Sequence, residues 1–393
     1  MSQPAVRVAM VAGEASGDLL ASQLMQAIQA RLPEAVFFGI GGPKMMALGF
    51  DAWYPLEKLA VRGYIEVLRH FREISGIRRE LKRRLLADPP DVFVGVDAPD
   101  FNLAVEKALK RRGIATVHYV SPSIWAWRGG RINKIGAAVA CVLTLFPCEA
   151  AFYERKGITV RYVGHPLADM LPLADGRAVA RARLGLGADD AVFALLPGSR
   201  QSELHYMADT FIETARRVNE ALPTALFLVP LATRETRVLF EAALQRCQAG
   251  NLPIRLVFGH AHEAMMAADV VLVASGTATL EAALLKRAMV IVYKMAPLSY
   301  RLMRRMAYLP YVGLPNVLAG RFVVPEYIQD DARPEKLAPA LLDLYADSAG
   351  RQRIGQVFRE MHLQLRQNAA EKAAAAVVDC LPTEVRRNVA AAA

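Results

Sequence analysis

Long apolar runs are absent from this sequence. The longest one, residues 136–148, contains Thr144 and Pro147 and ends before Glu149, whereas a membrane-spanning helix needs about 20 apolar residues. The first residues, Met-Ser-Gln-Pro-Ala-Val-Arg-Val, lead directly into a strand-like segment without the basic and apolar regions of a secretory signal. We therefore expect neither a membrane-spanning topology nor secretion.

Cysteine is scarce, and several cofactor motifs are missing. The four cysteines (141, 148, 247 and 380) form no CxxC pair, so we expect neither a disulfide framework nor a structural zinc site, and the pattern fits a reducing cytoplasm. Neither the GxGxxG fingerprint of dinucleotide-binding proteins nor the P-loop motif GxxxxGK[ST] occurs. No recognised nucleic-acid-binding module is present either.

Apolar residues and positive charge are both abundant. The chain has 393 residues, of which 54% are hydrophobic and 22% charged, and at about 150 residues per domain it is long enough for two or three domains. The formal net charge is +10, which implies an anionic partner such as nucleic acid, a phosphorylated substrate or an acidic membrane surface. Composition alone does not choose among these partners.

Short β-branched runs alternate with helical segments in two series. The first series extends from residues 6–12 to 161–163 and the second from 191–196 to 289–293. Apolar strands that alternate with helices predict parallel sheets covered on both faces. We predict an α/β fold with two Rossmann-like, doubly wound parallel-sheet domains facing a cleft, with ligands at the carboxyl ends of the strands.

Residues 167–190 separate the two series. They are rich in Ala, Gly, Arg and Asp and show no strand pattern, so we interpret them as a linker with its boundary near Asp175. The C-terminal segment is helical, packs on the N-terminal domain or on a partner subunit, and ends in an Ala-rich tail that is expected to fray. The predicted ranges are 1–174 and 175–345 for the two domains and 346–393 for the C-terminal helices.

In the first half, residues 13–18 (Gly-Glu-Ala-Ser-Gly-Asp) follow the first strand and open a helix. Backbone N–H groups at a helix start bind anions or sugar hydroxyls. The alternative is an ordinary turn in which Ser16 or Asp18 caps the helix.

Two carboxylates, Asp97 and Asp100, close the third long strand. A carboxylate at the end of a parallel strand points to the mouth of the cleft, where a general base works. The alternative interpretation makes Asp100 a helix cap and Asp97 the partner of a nearby cation. Their D-x-x-D spacing does not favour a metal–diphosphate site.

Residues 121–128 end the fourth strand and contain two of the three tryptophans beside basic residues. Aromatic faces and cations together suit a sugar ring that carries a phosphate, although one tryptophan could equally pack in the core. His118, in the middle of the strand, is interpreted as a core histidine.

In the second half, Gly198, Ser199 and Arg200 follow the first strand. Small residues let the backbone approach a ligand, and an arginine neutralises a diphosphate.

Residues 275–281 form a strand end, a hydroxyl-rich turn and a helix N-terminus, which is a cradle for phosphate oxygens without a metal. Glu281 lies one turn into that helix, within reach of ribose hydroxyls. The alternative is that Ser275 or Thr277 only caps the helix.

Residues 61–86 predict a basic amphipathic helix with eight Lys/Arg and three Glu. Ile65, Leu68 and Phe71 recur at threefold spacing among arginines, as in helices that lie on an acidic lipid surface. A core-facing helix with a solvated basic face is the alternative.

Six segments together closely resemble the lipid-A-disaccharide synthase family, in order and over residues 8–381. They are 11–18 (VAGEASGD), 97–102 (DAPDFN), 119–128 (YVSPSIWAWR), 195–200 (LLPGSR), 275–281 (SGTATLE) and 314–321 (LPNVLAGR).

The resemblance implies a GT-B fold and an inverting, metal-independent glycosyltransferase without a cofactor. It implies that UDP-2,3-diacylglucosamine condenses with 2,3-diacylglucosamine 1-phosphate to give the β-1,6-linked lipid A disaccharide 1-phosphate and UDP. It further implies a peripheral protein at the cytoplasmic face of the inner membrane, in a family that contains a homodimer exchanging C-terminal helices. The basic segment 61–86 indicates an acidic membrane surface as a partner, and without a recognised binding module we expect no nucleic-acid partner.

On this basis we predict that Asp97 is the general base for the acceptor's 6-hydroxyl, with Asp100 and Glu14 as alternatives. The predicted donor residues are Gly198, Ser199, Arg200, Ser275, Gly276, Thr277, Glu281 and Asn316. The predicted acceptor residues are Ser16, Ser121, Ser123, Trp125 and Arg128, and those predicted to contact the membrane are Ile65, Leu68 and Phe71.

Two rival hypotheses remain at the level of sequence. A UDP-GlcNAc 2-epimerase or another GT-B enzyme would share the cradle at 275–281 but would need no acyl pocket, and an epimerase consumes nucleotide sugar alone. A lipid-surface binding protein without activity would release no UDP from the two lipid substrates.

Overall fold

The computed structural model describes residues 5–59, 64–122, 129–306 and 309–392. The chain forms two compact α/β units. The first comprises Met1–Asp169 together with Leu365–Ala393, and the second comprises Met170–Gln364. Each unit contains one sheet whose strand pairs are all parallel. The predicted class, two parallel-sheet α/β domains, is confirmed.

The first unit has a seven-stranded sheet with helices on both faces. The strand order is β3-β2-β1-β4-β5-β6-β7. The strands are β1 Arg7–Ala12, β2 Val36–Gly41, β3 Asp51–Pro55, β4 Val92–Val96, β5 Ala115–Tyr119, β6 Cys141–Thr144 and β7 Val160–Tyr162. The helices are α1 Ala15–Arg31, α2 Pro43–Met46, α3 Tyr64–Ala87, α4 Pro99–Lys110, α5 Ile132–Ala138, α6 Pro147–Glu154 and α7 Pro166–Met170.

The second unit has a six-stranded sheet in the order β10-β9-β8-β11-β12-β13. Its strands are β8 Ala191–Leu196, β9 Ala225–Leu231, β10 Ile254–Phe258, β11 Val270–Ala274, β12 Ala288–Tyr293 and β13 Glu326–Ile328. Its helices are α8 Arg177–Arg183, α9 Gln201–Ala221, α10 Arg234–Arg246, α11 Ala261–Ala267, α12 Thr277–Leu284, α13 Pro297–Met306, α14 Leu314–Ala319, α15 Pro334–Ala346 and α16 Ser348–Leu365.

The strand order reverses once in each sheet. In the first unit the chain moves outward from β1 to β3 and then returns to add β4 on the other side of β1. In the second unit it moves from β8 to β10 and returns to add β11 beside β8. Ligands of open parallel sheets bind at the carboxyl ends of the strands where the order reverses. The loops after β1 and β4, and those after β8 and β11, therefore mark the two candidate sites.

The strands read as continuous apolar runs because both faces of each sheet are covered. The strand β11 (Val-Val-Leu-Val-Ala) is buried at every position, as is β4. Side chains of alternate residues point to opposite faces, so a strand covered on both sides has no solvated positions. Each sheet is thereby a rigid base for the loops at its carboxyl edge.

The C-terminal segment returns to the first unit with α17 Ala369–Asp379, followed by α18 Thr383–Ala392. Helix α17 packs on α1, and its alanines 373, 374 and 376 belong to the core of the first unit. Small side chains let the two helices approach closely. The Ala-rich tail that was expected to fray is helical up to Ala392.

The units divide at 169/170 and 364/365, whereas the sequence-based ranges divide at 174/175 and 345/346. The segment interpreted as a linker contains α8, whose Arg181 is buried and donates to Asp269 of the second unit at 3.0 Å. Asp175 forms an ion pair with the buried Arg287 of the same unit. These pairs hold residues near Asp175 on the second unit. The acceptor and donor roles of the two ranges stay predictions.

None of the helices within the described parts of the chain is long and apolar enough to cross a bilayer.

Candidate active site

The reversal point of the first sheet brings Gly13, after β1, next to Asp97, after β4. The Gly13 N–H donates to Asp97 Oδ1 at 2.8 Å. A Cβ atom placed on Gly17 would lie 2.0 Å from Asp97 Oδ2, which no real side chain tolerates. The two glycines of the segment 13–18 therefore form a socket for the Asp97 carboxylate. The Gly13 N–H, which we expected to meet a ligand, is already used by Asp97.

The backbone around Asp97 is held in an unusual conformation. Asp97 and the following Ala98 have φ values of 56° and 37°, in the left-handed region that residues other than glycine seldom adopt. The Asn102 side chain, on α4, donates to the Asp97 carbonyl at 3.0 Å and to the Val11 carbonyl at 3.3 Å. Strain of this kind concentrates at functional sites, where the surrounding structure maintains it.

The environment of Asp97 raises its pKa from 3.8 to about 7. Burial is the main cause and the nearby Glu14 adds to it, while the Gly13 N–H and His118 act in the opposite direction. Asp97 Oδ2 is buried and has no hydrogen-bond partner. A carboxylate with a pKa near the working pH and an unused oxygen has the properties of a general base.

The two alternative carboxylates differ from Asp97. Asp100 is 79% exposed and forms an ion pair with Arg131. Glu14 is the N-cap residue of α1 and is half-buried. Asp97, in contrast, combines a pKa raised to about 7 with a buried carboxylate oxygen that has no hydrogen-bond partner.

Neither residue that was considered as a cap of α1 caps it. Asp18 is buried and accepts from the backbone N–H groups of Gly42, Lys44 and Met45, at 3.0, 3.0 and 3.2 Å. It therefore holds the N-terminus of α2. Ser16 is exposed on the first turn of α1, where its hydroxyl is accessible to a ligand.

The predicted acceptor residues are described only in part. Ser121 follows β5; it is buried, and its Oγ lies 2.7 Å from the Tyr153 hydroxyl. Ser123, Trp125 and Arg128 lie outside the described residues, and so do the side chains of Ile65, Leu68 and Phe71. Their roles stay predictions.

The second unit contains a cavity of about 900 Å³ at its reversal point, within the range of small-molecule sites. Residues after β8 and after β11 line it together. Seven of the eight predicted donor residues are among them, namely Gly198, Ser199, Arg200, Ser275, Gly276, Thr277 and Glu281.

Glu203, which the sequence analysis did not single out, organises the loop after β8. Its Oε2 accepts from the backbone N–H groups of Ser199 and Arg200 at 3.0 and 3.2 Å, and its Oε1 lies 3.2 Å from Arg200 Nη1. These N–H groups are therefore used within the chain and not open to a diphosphate. The guanidinium of Arg200, 55% exposed, is the group that this loop offers to an anion. A glutamate three residues after the residue that precedes a helix is a known capping pattern, so the role of Glu203 could have been predicted from the sequence.

The N-terminus of α12 faces the cavity without a side-chain cap. Gly276 is its N-cap residue, and no side chain accepts from the first turn. The Ser275 hydroxyl donates to the Val312 carbonyl at 3.4 Å, so it does not cap the helix. The capping alternative for Ser275 and Thr277 is therefore wrong. The positive end of the helix dipole, without a side-chain acceptor at the N-cap, favours an anion here.

Glu281 is paired with His262, a second residue that the sequence analysis missed. Their Oε2 and Nε2 atoms lie 2.8 Å apart, and both side chains line the cavity. The hydrogen bond to Glu281 raises the pKa of His262. His262 lies in α11, after β10, and only the strand order brings it to β11. The hydrophobic periodicity of the sequence therefore does not indicate that His262 belongs to this site.

Asn316, the eighth predicted donor residue, is not among the residues that line the cavity. It is fully buried; its Nδ2 donates to the Val324 carbonyl and to Glu326 Oε1, both at 2.8 Å, and its Oδ1 accepts from the N–H groups of Val323 and Val324. Glu326 in turn accepts from the Val312 and Gly313 N–H groups. Asn316 therefore fixes the segment whose Val312 carbonyl contacts Ser275.

Comparison with known proteins identifies relatives over nearly the whole length of the chain. A family model described as Lipid-A-disaccharide synthetase matches residues 8–379. The chain is 64% identical over 378 residues to the lipid-A-disaccharide synthase of Dechloromonas aromatica (strain RCB), which covers 96% of this chain and 99% of the relative. It is 57% identical over 375 residues to that of Chromobacterium violaceum, with 95% and 97% covered.

Solved structures with a similar fold are much more distant in sequence. The UDP-GlcNAc 2-epimerase from Neisseria meningitidis bound to UDP-GlcNAc has a TM-score of 0.62 at 11% identity. WaaG, a glycosyltransferase involved in lipopolysaccharide biosynthesis, has a TM-score of 0.55 at 14% identity. Each comparison covers 95% of this chain and 99% of the other. These likenesses show the fold, which is of the GT-B type, and nothing about the reaction.

Asp97→Asn should change stability in a pH-dependent way. A carboxyl whose pKa is raised on folding stabilises the protein below its unfolded value near 3.8 and loses this contribution as pH rises through about 7. The variant should therefore gain about 1–3 kcal/mol in unfolding free energy over the native chain between pH 5 and pH 8.

Urea unfolding at the two pH values measures this difference. The matched control is Asp100→Asn, at an exposed site, which should show little pH-dependent gain. An Asp97→Asn variant whose stability follows the native chain at both pH values would contradict the burial of an ionisable carboxyl.

Proposed function

The chain belongs to the lipid-A-disaccharide synthase family, and from this premise we propose which residue is the catalytic base and which residues bind the donor and the acceptor. The protein is a glycosyltransferase that forms the lipid A disaccharide. It joins UDP-2,3-diacylglucosamine to 2,3-diacylglucosamine 1-phosphate through a β-1,6 linkage and releases UDP. The reaction needs a base that removes the proton of the acceptor hydroxyl and a binding site that stabilises the departing diphosphate.

The base in this proposal is Asp97. The observation that carries the assignment is a carboxylate with one unpartnered, buried oxygen and a pKa near 7. As the acceptor's 6-oxygen attacks the anomeric carbon, its proton moves to Asp97 and the bond from that carbon to the UDP oxygen breaks. A single displacement of this kind inverts the anomeric configuration and forms no covalent enzyme intermediate.

The donor is held by the cavity of the second unit. UDP leaves with developing negative charge on its diphosphate, and Arg200 together with the uncapped N-terminus of α12 stabilises that charge. Both groups are present before the reaction, so little reorganisation is needed. Glu281 accepts from the ribose hydroxyls, and His262 fixes the orientation of its carboxylate.

The acceptor is bound by the first unit. Ser16, exposed one turn from the Gly13–Asp97 contact, contributes its hydroxyl, and Ser121, buried against the Tyr153 hydroxyl, supports the pocket from behind. The roles of Ser123, Trp125 and Arg128 towards the acceptor phosphate are carried over from the sequence analysis, since these residues lie outside the described ranges. We assign the membrane surface to the basic segment 61–86, because the acyl chains of both substrates remain in the bilayer. We therefore place the protein at the cytoplasmic face of the inner membrane, and we carry over the homodimer from the family resemblance.

An epimerase has the same fold, since epimerases are among the similar structures. The sequence relationship separates the two activities: a relative named lipid-A-disaccharide synthase is 64% identical to this chain, whereas the Neisseria epimerase is 11% identical. Acceptor dependence separates them experimentally. UDP should be released only when both lipid substrates are present.

Asp97→Asn should lower the turnover number for UDP release by about 10²–10⁴-fold, the range for loss of a general base. Asp100→Asn is the matched control and should stay within about threefold, because its carboxylate is exposed and already paired with Arg131. Turnover is measured with both diacylglucosamine substrates in detergent micelles. An Asp97→Asn variant that is folded and retains native turnover would exclude this base.

Arg200→Ala should weaken UDP binding by about 10–100-fold, since hydrogen bonds to charged groups contribute about 1.5–3 kcal/mol. The control is Arg217→Ala on helix α9, which Arg200 precedes; this exposed arginine pairs with Glu335 and does not line the cavity. Isothermal titration calorimetry with UDP, with and without EDTA, measures both affinities. Equal affinities for the two variants would remove Arg200 from the donor site, and an EDTA effect would contradict metal independence.

Replacing Ile65, Leu68 and Phe71 together by Ser should reduce sedimentation with anionic liposomes several-fold, because the apolar area that enters the lipid interface is lost. The control is a triple replacement of the exposed Val179, Val238 and Leu239 in the second unit. Circular dichroism checks that both variants are folded. Unchanged liposome binding of the first variant would contradict the assignment of segment 61–86.

A further inference from the structure

The second unit carries an exposed surface in which arginines and large apolar side chains occur together, in the segment 301–322. Residues 282–325 contain seven Lys/Arg and no Asp or Glu, although the whole chain has 38 acidic residues among 393. A stretch of this length with charge of one sign attracts an anionic partner. The proposed reaction uses none of the exposed side chains of the segment 301–322.

Three arginines of this surface are available to an anionic partner. Arg301, Arg304 and Arg321 are exposed, and within the described part of the chain no carboxylate pairs with them. The side chain of Arg305 lies outside the described residues. The other cations of the stretch contact groups of the chain itself, namely Lys286, Arg287 and Lys294. A guanidinium suits the oxygens of a phosphate group, so these three arginines offer sites for phosphate.

Large apolar side chains accompany the arginines. Met303, Leu309, Val312 and Phe322 are 42%, 37%, 43% and 58% exposed. A single exposed apolar residue is ordinary in a water-soluble protein, whereas a group of them in one segment marks a surface that another apolar phase covers.

Tyr311 brings the two ends of this surface together. Its hydroxyl donates to the Gly320 carbonyl at 2.8 Å, and its ring meets that of Phe322 edge-on, with centroids 4.8 Å apart. Residues 309–312 therefore lie against residues 320–322. The apolar and basic side chains of the two ranges form one continuous surface.

Helix α13 leads into this surface. Its last residue, Met306, is three positions before Leu309, so their Cα atoms are at most about 11 Å apart. The sequence of the helix has arginines at positions 301, 304 and 305 and apolar residues at positions 298, 302 and 306. These spacings are those of an amphipathic helix with a basic face, as in helices that lie in a lipid interface.

The acid that ends the stretch does not cancel its charge at the surface. Glu326, the first residue of β13, accepts from the Val312 and Gly313 N–H groups and from Asn316 Nδ2. Its carboxylate is thus used inside the loop that carries Val312. Exposed arginines beside exposed apolar side chains match a bilayer surface, which presents phosphates above acyl chains. A nucleic acid offers the phosphates without the acyl chains.

The surface begins at the rim of the donor cavity. Ser275, which lines the cavity, donates to the Val312 carbonyl at 3.4 Å. In the proposed reaction the donor carries two acyl chains, and transfer of methylene groups from lipid to water is unfavourable. The chains therefore remain in lipid while the nucleotide occupies the cavity. This arrangement requires lipid beside the cavity, at a contact made by the second unit.

We propose that the exposed residues of the segment 301–322 form a second membrane-binding surface, which holds the phosphates of an anionic bilayer with its arginines and inserts Phe322 and its apolar neighbours between the headgroups. The donor then enters its cavity directly from the lipid. The inference rests on the proposed function, which places a diacylated donor in this cavity. The surface belongs to the second unit and is separate from the segment 61–86 of the first.

The first test measures contact of one side chain with lipid. Phe322→Trp is compared with Phe258→Trp, a matched control, because Phe258 is 57% exposed and ends β10, at the edge of the sheet opposite to β13. Both variants are mixed with phosphatidylcholine–phosphatidylglycerol vesicles whose acyl chains carry bromine, a short-range quencher of tryptophan fluorescence. The fluorescence that Phe322→Trp adds to that of the native chain should fall by about half or more, since interfacial side chains enter the acyl boundary by about 5–10 Å.

The fluorescence that Phe258→Trp adds should stay unchanged, and sedimentation with the same vesicles is measured alongside. If the chain sediments with the vesicles but Phe322→Trp is not quenched, or both variants are quenched alike, the second surface is refuted and the assignment of segment 61–86 stands. If the chain does not sediment with the vesicles, the second surface is refuted together with the membrane assignment of the proposed function.

The second test removes the charge of the surface. Replacing Arg301, Arg304 and Arg321 by Gln should lower the partition coefficient onto these vesicles by about fivefold for each arginine. The control removes the same charge from exposed arginines of α9 and α10 that do not line the cavity, namely Arg217, Arg237 and Arg246. It should stay within about twofold of the native chain, because charges away from the contact are screened.

UDP release in uncharged detergent micelles separates the possible failures. Both triple variants should keep native turnover there, since the micelle offers no anionic surface. Equal partition of the two variants onto vesicles, or a loss of turnover in micelles that appears in the first variant and indicates a structural role, would overturn the proposal. A native chain that releases no UDP from the two lipid substrates would instead refute the proposed reaction.

Discussion

The contact between the Gly13 N–H and the Asp97 carboxylate is the interaction on which the first site depends. It joins the ends of the two strands between which the sheet order reverses, and it fixes one carboxylate oxygen. A side chain at position 17 would collide with the second carboxylate oxygen, so only glycine fits beside it. Burial disfavours the ionised form of Asp97 by more than its backbone N–H donors favour it. The geometry therefore keeps Asp97 ready to bind a proton at neutral pH.

The same topology supports two different electrostatic environments. In the first unit, the reversal point holds a carboxylate with one buried oxygen between two glycines. In the second unit, the reversal point is an open cavity with an arginine and an uncapped helix N-terminus. Proton removal requires the first environment, and binding of a diphosphate requires the second. The two sheets position the loops at their carboxyl edges, and the residues in those loops determine which chemical step each site can support.

Much of this organisation was predictable from the sequence. Apolar strands in two series predict two parallel sheets, and the residues after the strands predict Asp97, Arg200 and the turn at Ser275. The partners of these residues were not predictable, because they depend on strand order. Asp18 binds α2, Asn316 holds a loop and His262 meets Glu281, each through contacts between segments that are distant in sequence. The linker interpretation was wrong in detail, since ion pairs such as Asp175–Arg287 hold a strandless segment on the second unit.

The most direct test of the account is a titration of Asp97 itself. ¹³C-carboxyl spectra of the full chain with labelled aspartate, compared with spectra of Asp97→Asn, identify its signal and follow its ionisation. The account predicts a midpoint near pH 7, well separated from those of the exposed aspartates. A midpoint near pH 4 would show that the carboxylate is ionised throughout the neutral range, and it would contradict the role of burial that the whole account assigns to it.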